Sequence, residues 1–137
     1  MNEENVAKFP DLGPELTGAI IGAAMEVHKQ LGPGLLESVY ESCLVYELGC
    51  LGMKVEKQKA LPIVYKDLKI EQGLRIDLCV NEKAIVELKA CEKILPVHKA
   101  QLITYMRLAK KPLGLLINFN ERTLKNGIER LALTEFA

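Results

Sequence analysis

The stretch that decides the fold is Arg75-Ile-Asp-Leu-Cys-Val-Asn-Glu-Lys-Ala-Ile-Val-Glu-Leu-Lys89. Apolar residues alternate before the polar turn Asn81-Glu82-Lys83 and run together after it. This pattern predicts two strands joined by a loop of three residues. Such a loop places Asp77 directly opposite Glu87, and strand alternation aims Lys89 to the same side as Glu87.

The two facing carboxylates predict a metal site. Carboxylates opposite each other across two strands repel, and strand interiors disfavour aspartate. A divalent cation between Asp77 and Glu87 would offset both costs. A lysine beside a hard cation, as at Lys89, is the arrangement expected for metal-assisted attack on a phosphodiester. Charged residues on the solvent face of a two-stranded ribbon are also common, so the motif alone leaves a solvated face as the alternative.

Composition indicates a soluble globular protein. The 137 residues suit one domain spanning 1–137, with 1–13 expected to be a flexible N-terminal segment. The chain is 49% hydrophobic and 26% charged, an ordinary globular balance. We see no apolar run of membrane-spanning length and no signal peptide. The four cysteines show neither a CxxC pair nor zinc-like spacing. These features predict a reduced, cytoplasmic protein without a membrane partner.

The formal net charge is zero, which argues against coating of nucleic acid by bulk electrostatics. Basic residues nevertheless gather in two segments, Lys54, Lys57, Lys59, Lys66 and Lys69 in the first and Lys93, Lys99, Arg107, Lys110 and Lys111 in the second. A solvated face explains either segment taken alone. Local basic patches on a neutral protein also suit a site that grips a few phosphates.

Hydrophobic periodicity predicts an α/β fold. The expected elements are helices Pro14–Leu31 and Leu35–Leu51, a strand-rich stretch Lys54–Tyr65 broken by Pro62, strands Lys69–Val80 and Ala84–Ala90, a helix Pro96–Ala109, a buried parallel strand Leu113–Phe119 and a last helix Arg122–Leu133. Gly32-Pro33-Gly34 and Gly52 end the first two helices. The architecture expected from this order is a mixed sheet flanked by helices.

Glu37 is the third acidic residue of interest. It follows Gly34 by three residues, in the first turns of the second predicted helix. A helix-dipole partner at an N-terminus is the simpler interpretation. A third carboxylate directed at the metal is the functional one. Tyr40 lies about one turn further along on the same side of the helix.

His98, Gln101 and Tyr105 recur at spacings of three and four residues, so they share one face of the helix that follows the Glu-x-Lys strand. Such a polar stripe can bridge core and solvent. It can also hydrogen-bond phosphate oxygens or an attacking water. The sequence shows no nucleophile of the Ser-His-Asp or Cys-His type, and Gly-Pro-Gly lacks the features of a phosphate loop. Metal-assisted hydrolysis is the chemistry that the residues support best.

These motifs together resemble a known family. Gly34-Leu-Leu-Glu-Ser-Val-Tyr40 matches the motif that names the GxxExxY proteins. The similarity continues through His28–Gly34, Arg75-Ile-Asp77, Val86–Lys89, Pro96-Val-His98, Gln101 and Leu115–Phe119. That family is grouped with the PD-(D/E)XK nuclease superfamily. The resemblance implies a restriction-endonuclease-like core in α-β-β-β-α-β order, and Gln101-Leu-Ile-Thr-Tyr105 is similar to the branch with a Gln-x-x-x-Tyr helix, which resembles recombination-type exonucleases.

The resemblance also implies roles for the residues. It makes Glu37, Asp77, Glu87 and the carbonyl of Leu88 ligands of magnesium, with manganese as a substitute. It gives Lys89 the role of orienting or activating water. The supporting or substrate-binding set that we expect is Gln101, Tyr105, His98, Tyr40 and Arg75. The proline of the superfamily's name is absent, since Ile76 precedes Asp77, at a position that varies within the superfamily.

The expected function is that of a magnesium-dependent nuclease that hydrolyses phosphodiester bonds of nucleic acid, with DNA as the expected substrate. Two alternatives stay open. One is a catalytically silent protein that keeps the nuclease fold and binds nucleic acid or a protein partner. The other is a metal-free structural subunit of a larger assembly. A homo-oligomer is compatible with the sequence.

Overall fold

The computed structural model describes residues 6–7 and 14–136. The helices are α1 (Pro14–Leu31), α2 (Glu37–Cys50) and α3 (Pro96–Ala109). The strands are β1 (Val6–Ala7), β2 (Val55–Tyr65), β3 (Leu68–Val80), β4 (Ala84–Lys89), β5 (Leu113–Asn118) and β6 (Ile128–Leu133). Short 3-10 helices span Leu124–Gly127 and Thr134–Phe136. The element order predicted from α1 to β5 is confirmed.

Glycines set the boundary between the first two helices. Gly32 and Gly34 have φ angles of 70° and 98°, in the left-handed region that ends a helix. The next helix begins at Glu37 rather than at Leu35, because Leu36 is extended with φ −68° and ψ 146°. Glu37 is therefore the first residue of α2.

The described strands form one mixed sheet in the order β1-β6-β5-β4-β3-β2. β4 and β5 are parallel, and every other neighbouring pair is antiparallel. Buried residues of α1 and α2 pack on one face of the sheet, and those of α3 pack on the other. β5 is buried along its whole length, as its apolar run predicted. The predicted α/β architecture of a mixed sheet flanked by helices is confirmed.

β2 forms one outer edge of the sheet. It is continuous through Pro62, where the sequence suggested a break, and the register with β3 shifts there, between Leu61 and Ile63. An edge strand tolerates proline because the missing N–H can face away from the neighbouring strand. Gln58, in the same strand, has a φ of 51°.

The predicted last helix, Arg122–Leu133, is wrong. A 3-10 helix ends at Gly127 and β6 follows, pairing with β5 from Leu113↔Ala132 to Ile117↔Ile128. The outer edge of β5 offers backbone groups that must find partners when buried, and pairing with β6 satisfies them. Periodicity within a short segment cannot detect such a distant edge.

The N-terminal segment 1–13, expected to be flexible, contributes a strand at Val6–Ala7 that pairs with β6. The expected flexibility of the segment stays a prediction, and its remainder lies outside the described residues. Within the described part of the chain, no helix combines the length and apolar character needed to cross a bilayer. All four cysteines are free thiols.

Candidate active site

The side chains of Asp77 and Glu87 connect β3 and β4 by hydrogen bonds. The pair Val80↔Ala84 closes the three-residue loop that the sequence predicted, and the ladder continues to Leu78↔Val86. At the next position side chains replace the ladder. The Asp77 N–H donates to Oε2 of Glu87 at 2.8 Å, and the Leu88 N–H donates to Oδ2 of Asp77 at 2.9 Å. Each carboxylate is thus held by the backbone of the opposite strand.

β3 changes face at Asp77. Ile76 packs in the core cluster beneath α3, whereas Leu78 packs in the cluster beneath α1 and α2. Residues two apart in a regular strand would share a face, so the strand is distorted between them. The β2–β3 ladder also skips this position, passing from Lys57↔Leu78 to Lys59↔Ile76. The distortion frees the backbone and side chain of Asp77 for the contacts with β4.

Glu87 is buried where an ionised carboxylate is unfavourable. Its side chain is only 4% exposed, and burial followed by repulsion from Asp77 raises its pKa to about 8. The hydrogen bond from the Asp77 backbone and the nearby Lys89 ammonium lower this pKa only in part. Glu87 therefore lacks a counter-charge strong enough to keep it ionised at neutral pH.

Glu37 faces the same electrostatic field from α2. Partial burial, then repulsion from Asp77, raises its pKa, while Lys89 and a hydrogen bond with the Ala90 backbone lower it. Its side chain is nevertheless exposed. Among the described residues, no three His, Cys, Asp or Glu side chains are close enough together to hold one ion. Glu37 thus approaches Asp77 and Glu87 without completing a preformed three-carboxylate shell.

Leu88 and Lys89, at the end of β4, have different surroundings. The Leu88 side chain is fully buried in the α1–α2 cluster, so only its backbone can face the site. Lys89 is half-buried, and its charge lowers the pKa of both Glu37 and Glu87. The ammonium therefore acts electrostatically on both acids.

Tyr105, in the polar stripe of α3, is close enough to Glu87 to sense its charge. Gln101 Nε2 donates to the Tyr105 hydroxyl at 3.2 Å. Burial, and next the charge of Glu87, raises the pKa of Tyr105. His98 has a local role as well, since its Nδ1 accepts the Leu95 N–H at 3.0 Å and so caps the start of α3.

Two further members of the predicted set occupy different surroundings. Tyr40 is fully buried and stacks on Phe119 with ring centroids 4.6 Å apart. Its hydroxyl donates to the Gly32 carbonyl at 2.6 Å and accepts the Leu35 N–H at 3.1 Å. Tyr40 therefore fixes the turn that leads into Glu37. Arg75 is exposed on β3, two residues before Asp77, opposite Ala60 of β2.

Gln58 and Glu41 contact the candidate site, although no sequence pattern selects them. Gln58 Nε2 donates to Oε2 of Glu41 at 2.9 Å and to Oδ1 of Asp77 at 3.4 Å. Gln58 stands between Lys57 and Lys59 in a lysine-rich segment, which resembles an ordinary solvated edge. Their proximity depends on packing of α2 against β2, for which the sequence carries no motif.

Asn118, also missed, anchors the chain that leaves β4. Its buried side chain accepts the Cys91 N–H at 3.1 Å and the Asn120 N–H at 3.2 Å, and donates to the Cys91 carbonyl at 2.9 Å. These bonds fix the residues immediately after Lys89. The signal for it was weak: a lone polar residue at the end of an apolar run.

The donor set suits a hard cation. Magnesium is held in proteins by oxygen ligands, usually one or two carboxylates with several waters. Asp77 and Glu87 supply such a pair, and the pKa of Glu87 is raised first by burial and then by repulsion from Asp77, which the nearby Lys89 does not fully offset. The residues present therefore fit a magnesium ion without a preformed third ligand.

Comparison with family models gives a match over most of the chain. The family model of the PD-(D/E)XK nuclease superfamily matches residues 14–131. The match runs from α1 into β6 and includes every residue assigned to the site above. No curated protein and no solved structure is significantly similar to the chain.

Proposed function

Because the chain belongs to the PD-(D/E)XK nuclease superfamily, we propose that it is a magnesium-dependent nuclease that hydrolyses phosphodiester bonds of DNA. The mixed sheet flanked by helices agrees with the restriction-endonuclease-like fold of that superfamily. Manganese is the expected substitute for magnesium.

One observation carries the proposal: the buried carboxylate of Glu87 accepts the Asp77 backbone N–H, the neighbouring Asp77 carboxylate accepts the Leu88 N–H, and no nearby cation fully offsets the raised pKa of Glu87. Burying an uncompensated charge is costly, and in proteins such groups pair or coordinate metals. Strongly perturbed acids are also concentrated at functional sites. A divalent cation would supply the missing charge at this point.

We assign the chemistry as follows. Asp77, Glu87 and the Leu88 carbonyl hold the ion, with Glu37 as a further ligand from α2. When bound, magnesium provides Lewis acidity toward a phosphoryl oxygen and lowers the pKa of water. Lys89 orients the attacking water and balances the charge that develops on the phosphate.

The remaining expected residues support this centre in the proposal. Gln101 and Tyr105, joined by a hydrogen bond beside Glu87, favour the branch with the Gln-x-x-x-Tyr helix. Tyr40, which fixes the turn before Glu37, favours the GxxExxY group. We assign His98 and Arg75 to substrate binding. The free cysteines support a reducing compartment, the cytoplasm.

Cleavage assays test the proposal. Purified protein with magnesium or manganese is incubated with single- and double-stranded DNA and RNA. We expect DNA to be cut and Lys89→Ala to lower the rate by about 10²–10³-fold, the loss typical of removing one group that stabilises developing charge. Lys83→Ala, an exposed lysine in the β3–β4 turn, is the matched control and should retain the rate. Failure to cut any of these substrates, or equal rates in Lys89→Ala and Lys83→Ala, would refute the proposal.

The alternative, a catalytically silent protein that binds nucleic acid, is favoured by the absence of a converged three-acid group among the described residues. It predicts binding that weakens with salt. Glu87→Gln would leave that binding unchanged, and no substrate would be cut at any metal concentration.

A further inference from the structure

The amide of Gln58 is bound by two acids at once. Its Nε2 donates to Oε2 of Glu41 at 2.9 Å and to Oδ1 of Asp77 at 3.4 Å. Both partners are carboxylates, which only accept hydrogen bonds, so the NH₂ end of the amide must face them. Gln58 therefore connects α2 to Asp77 through one nitrogen.

The backbone of Gln58 is unusual for its place. It has a φ of 51°, in the left-handed region that residues with a Cβ rarely adopt. Four other non-glycine residues of the described chain have positive φ, and all lie in turns or at a helix end: Lys66, Asn81, Glu82 and Lys110. Gln58 alone among them lies within a strand. Strain of this kind persists where the surroundings enforce it, and it is concentrated at functional sites.

The strain coincides with the break in the ladder. Gln58 lies opposite Asp77 on the neighbouring strand, but the two are not paired in the ladder. The pairs on either side of them are Lys57↔Leu78 and Lys59↔Ile76. A regular extended residue would continue the ladder at this point, and strand alternation would then fix the direction of its side chain. The left-handed conformation instead accompanies a side chain directed at Asp77 and Glu41.

We infer that Gln58 is a positioning residue that fixes the Asp77 carboxylate for metal binding. Asp77 is held at both oxygens, with Oδ2 bound by the Leu88 N–H and Oδ1 by the Gln58 amide. Glu41 anchors the amide in turn. Partners of this kind orient the ligands of a metal. The inference rests on the proposed function for its metal readout only.

The experiment compares Gln58→Gly and Gln58→Asn with Lys110→Gly. Lys110 has a φ of 56° at the end of α3, so its glycine variant relieves the same strain away from Asp77. Three quantities are measured: the manganese dissociation constant by calorimetry, the exchange rate of the Leu88 amide in metal-free protein, and the melting temperature.

Glycine adopts positive φ without strain, so both glycine variants should melt at the wild-type temperature or higher. Of the two glycine variants, only Gln58→Gly should weaken manganese binding, by about tenfold as for other partners of metal ligands. Only Gln58→Gly should speed exchange at Leu88, because Asp77 would no longer be held against that N–H. Gln58→Asn keeps the amide and tolerates positive φ but is one methylene shorter, and it should behave like Gln58→Gly.

Unchanged manganese affinity together with unchanged Leu88 exchange in Gln58→Gly would overturn the inference. A lower melting temperature with both quantities unchanged would make Gln58 a structural residue only. If the wild-type protein binds no manganese, the proposed metal site fails by itself. Leu88 exchange then still decides whether Gln58 positions Asp77.

Discussion

The protonation of Glu87 links one residue to the stability of the fold. In the unfolded chain its pKa has the ordinary value of 4.5, and in the folded protein burial and repulsion from Asp77 raise the pKa to about 8. Between these values the folded state keeps a proton that the unfolded state releases. Raising the pH therefore favours unfolding in this range, and the stability present at low pH is lost as pH rises through about 8.

We expect the free energy of unfolding of metal-free protein to fall between pH 5 and 8, by up to about 1.4 kcal/mol per pH unit for this group. Glu87→Gln should flatten that slope, since glutamine stays neutral and can still accept the Asp77 N–H. Denaturant titrations in chelator at several pH values measure both slopes. Parallel pH dependence in wild type and Glu87→Gln would show that Glu87 does not titrate as described.

The sequence predicted that Asp77 and Glu87 face each other, but it did not predict the distorted backbone around them. Loop length and alternation placed Asp77 opposite Glu87, because both rules depend only on neighbouring residues. Alternation could not reveal that side chains replace the ladder at this point. It also could not reveal the left-handed backbone of Gln58, since glutamine carries no signature for that conformation.

The turn before β6 requires a glycine at position 127. Gly127 is buried, and a Cβ built there would lie 2.7 Å from the Asn118 carbonyl oxygen and 2.7 Å from Cγ of Glu121. Backbone atoms cannot yield as a flexible side chain can. The 3-10 helix and the start of β6 can therefore pack against the end of β5 only with glycine at this position.

Gly127→Ala should lower the free energy of unfolding by about 1–3 kcal/mol, the usual cost of overpacking. Gly22→Ala is the matched control, because Gly22 lies exposed within α1 with no atom near its added Cβ. It should raise stability by about 0.5–1 kcal/mol through helix propensity. Chemical denaturation compares the two, and equal effects would refute the close contact at Gly127.

Helices were predicted correctly where proline or glycine marks their ends. The prediction was wrong for Arg122–Leu133, where these residues do not set the boundaries. Pro14–Leu31 and Pro96–Ala109 match α1 and α3, since local signals set both ends. Leu124, Ile128 and Leu131 also recur at helical spacing. They nevertheless fall in a 3-10 helix and a strand, because the open edge of β5 stabilises pairing that periodicity alone cannot anticipate.

At the scale of the whole molecule, metal binding would add to the free energy of unfolding. A ligand that binds only the folded state stabilises it by about 2.7 kcal/mol at a hundredfold excess over its dissociation constant. In the metal-free protein, ionisation of Glu87 is opposed by burial and then by repulsion from Asp77. The cation would remove that repulsion as it binds.

Millimolar magnesium or manganese should therefore raise the melting temperature of the wild-type protein. Asp77→Asn should lose the metal response, because it removes a charged ligand. Asp67→Asn, in the exposed β2–β3 turn, should keep the response. Thermal scans with and without metal measure these shifts. A full metal response in Asp77→Asn would place the cation elsewhere.

The irregular course of β2 has a consequence for the behaviour of the protein at high concentration. An outer strand of eleven residues exposes a row of backbone donors and acceptors on which another chain could polymerise. Gln58 turns the backbone away from extended geometry, and Pro62 has no N–H to offer. Only Lys59, Ala60 and Leu61 lie between these two interruptions. We therefore expect these two interruptions of the outer strand to disfavour pairing with a second chain.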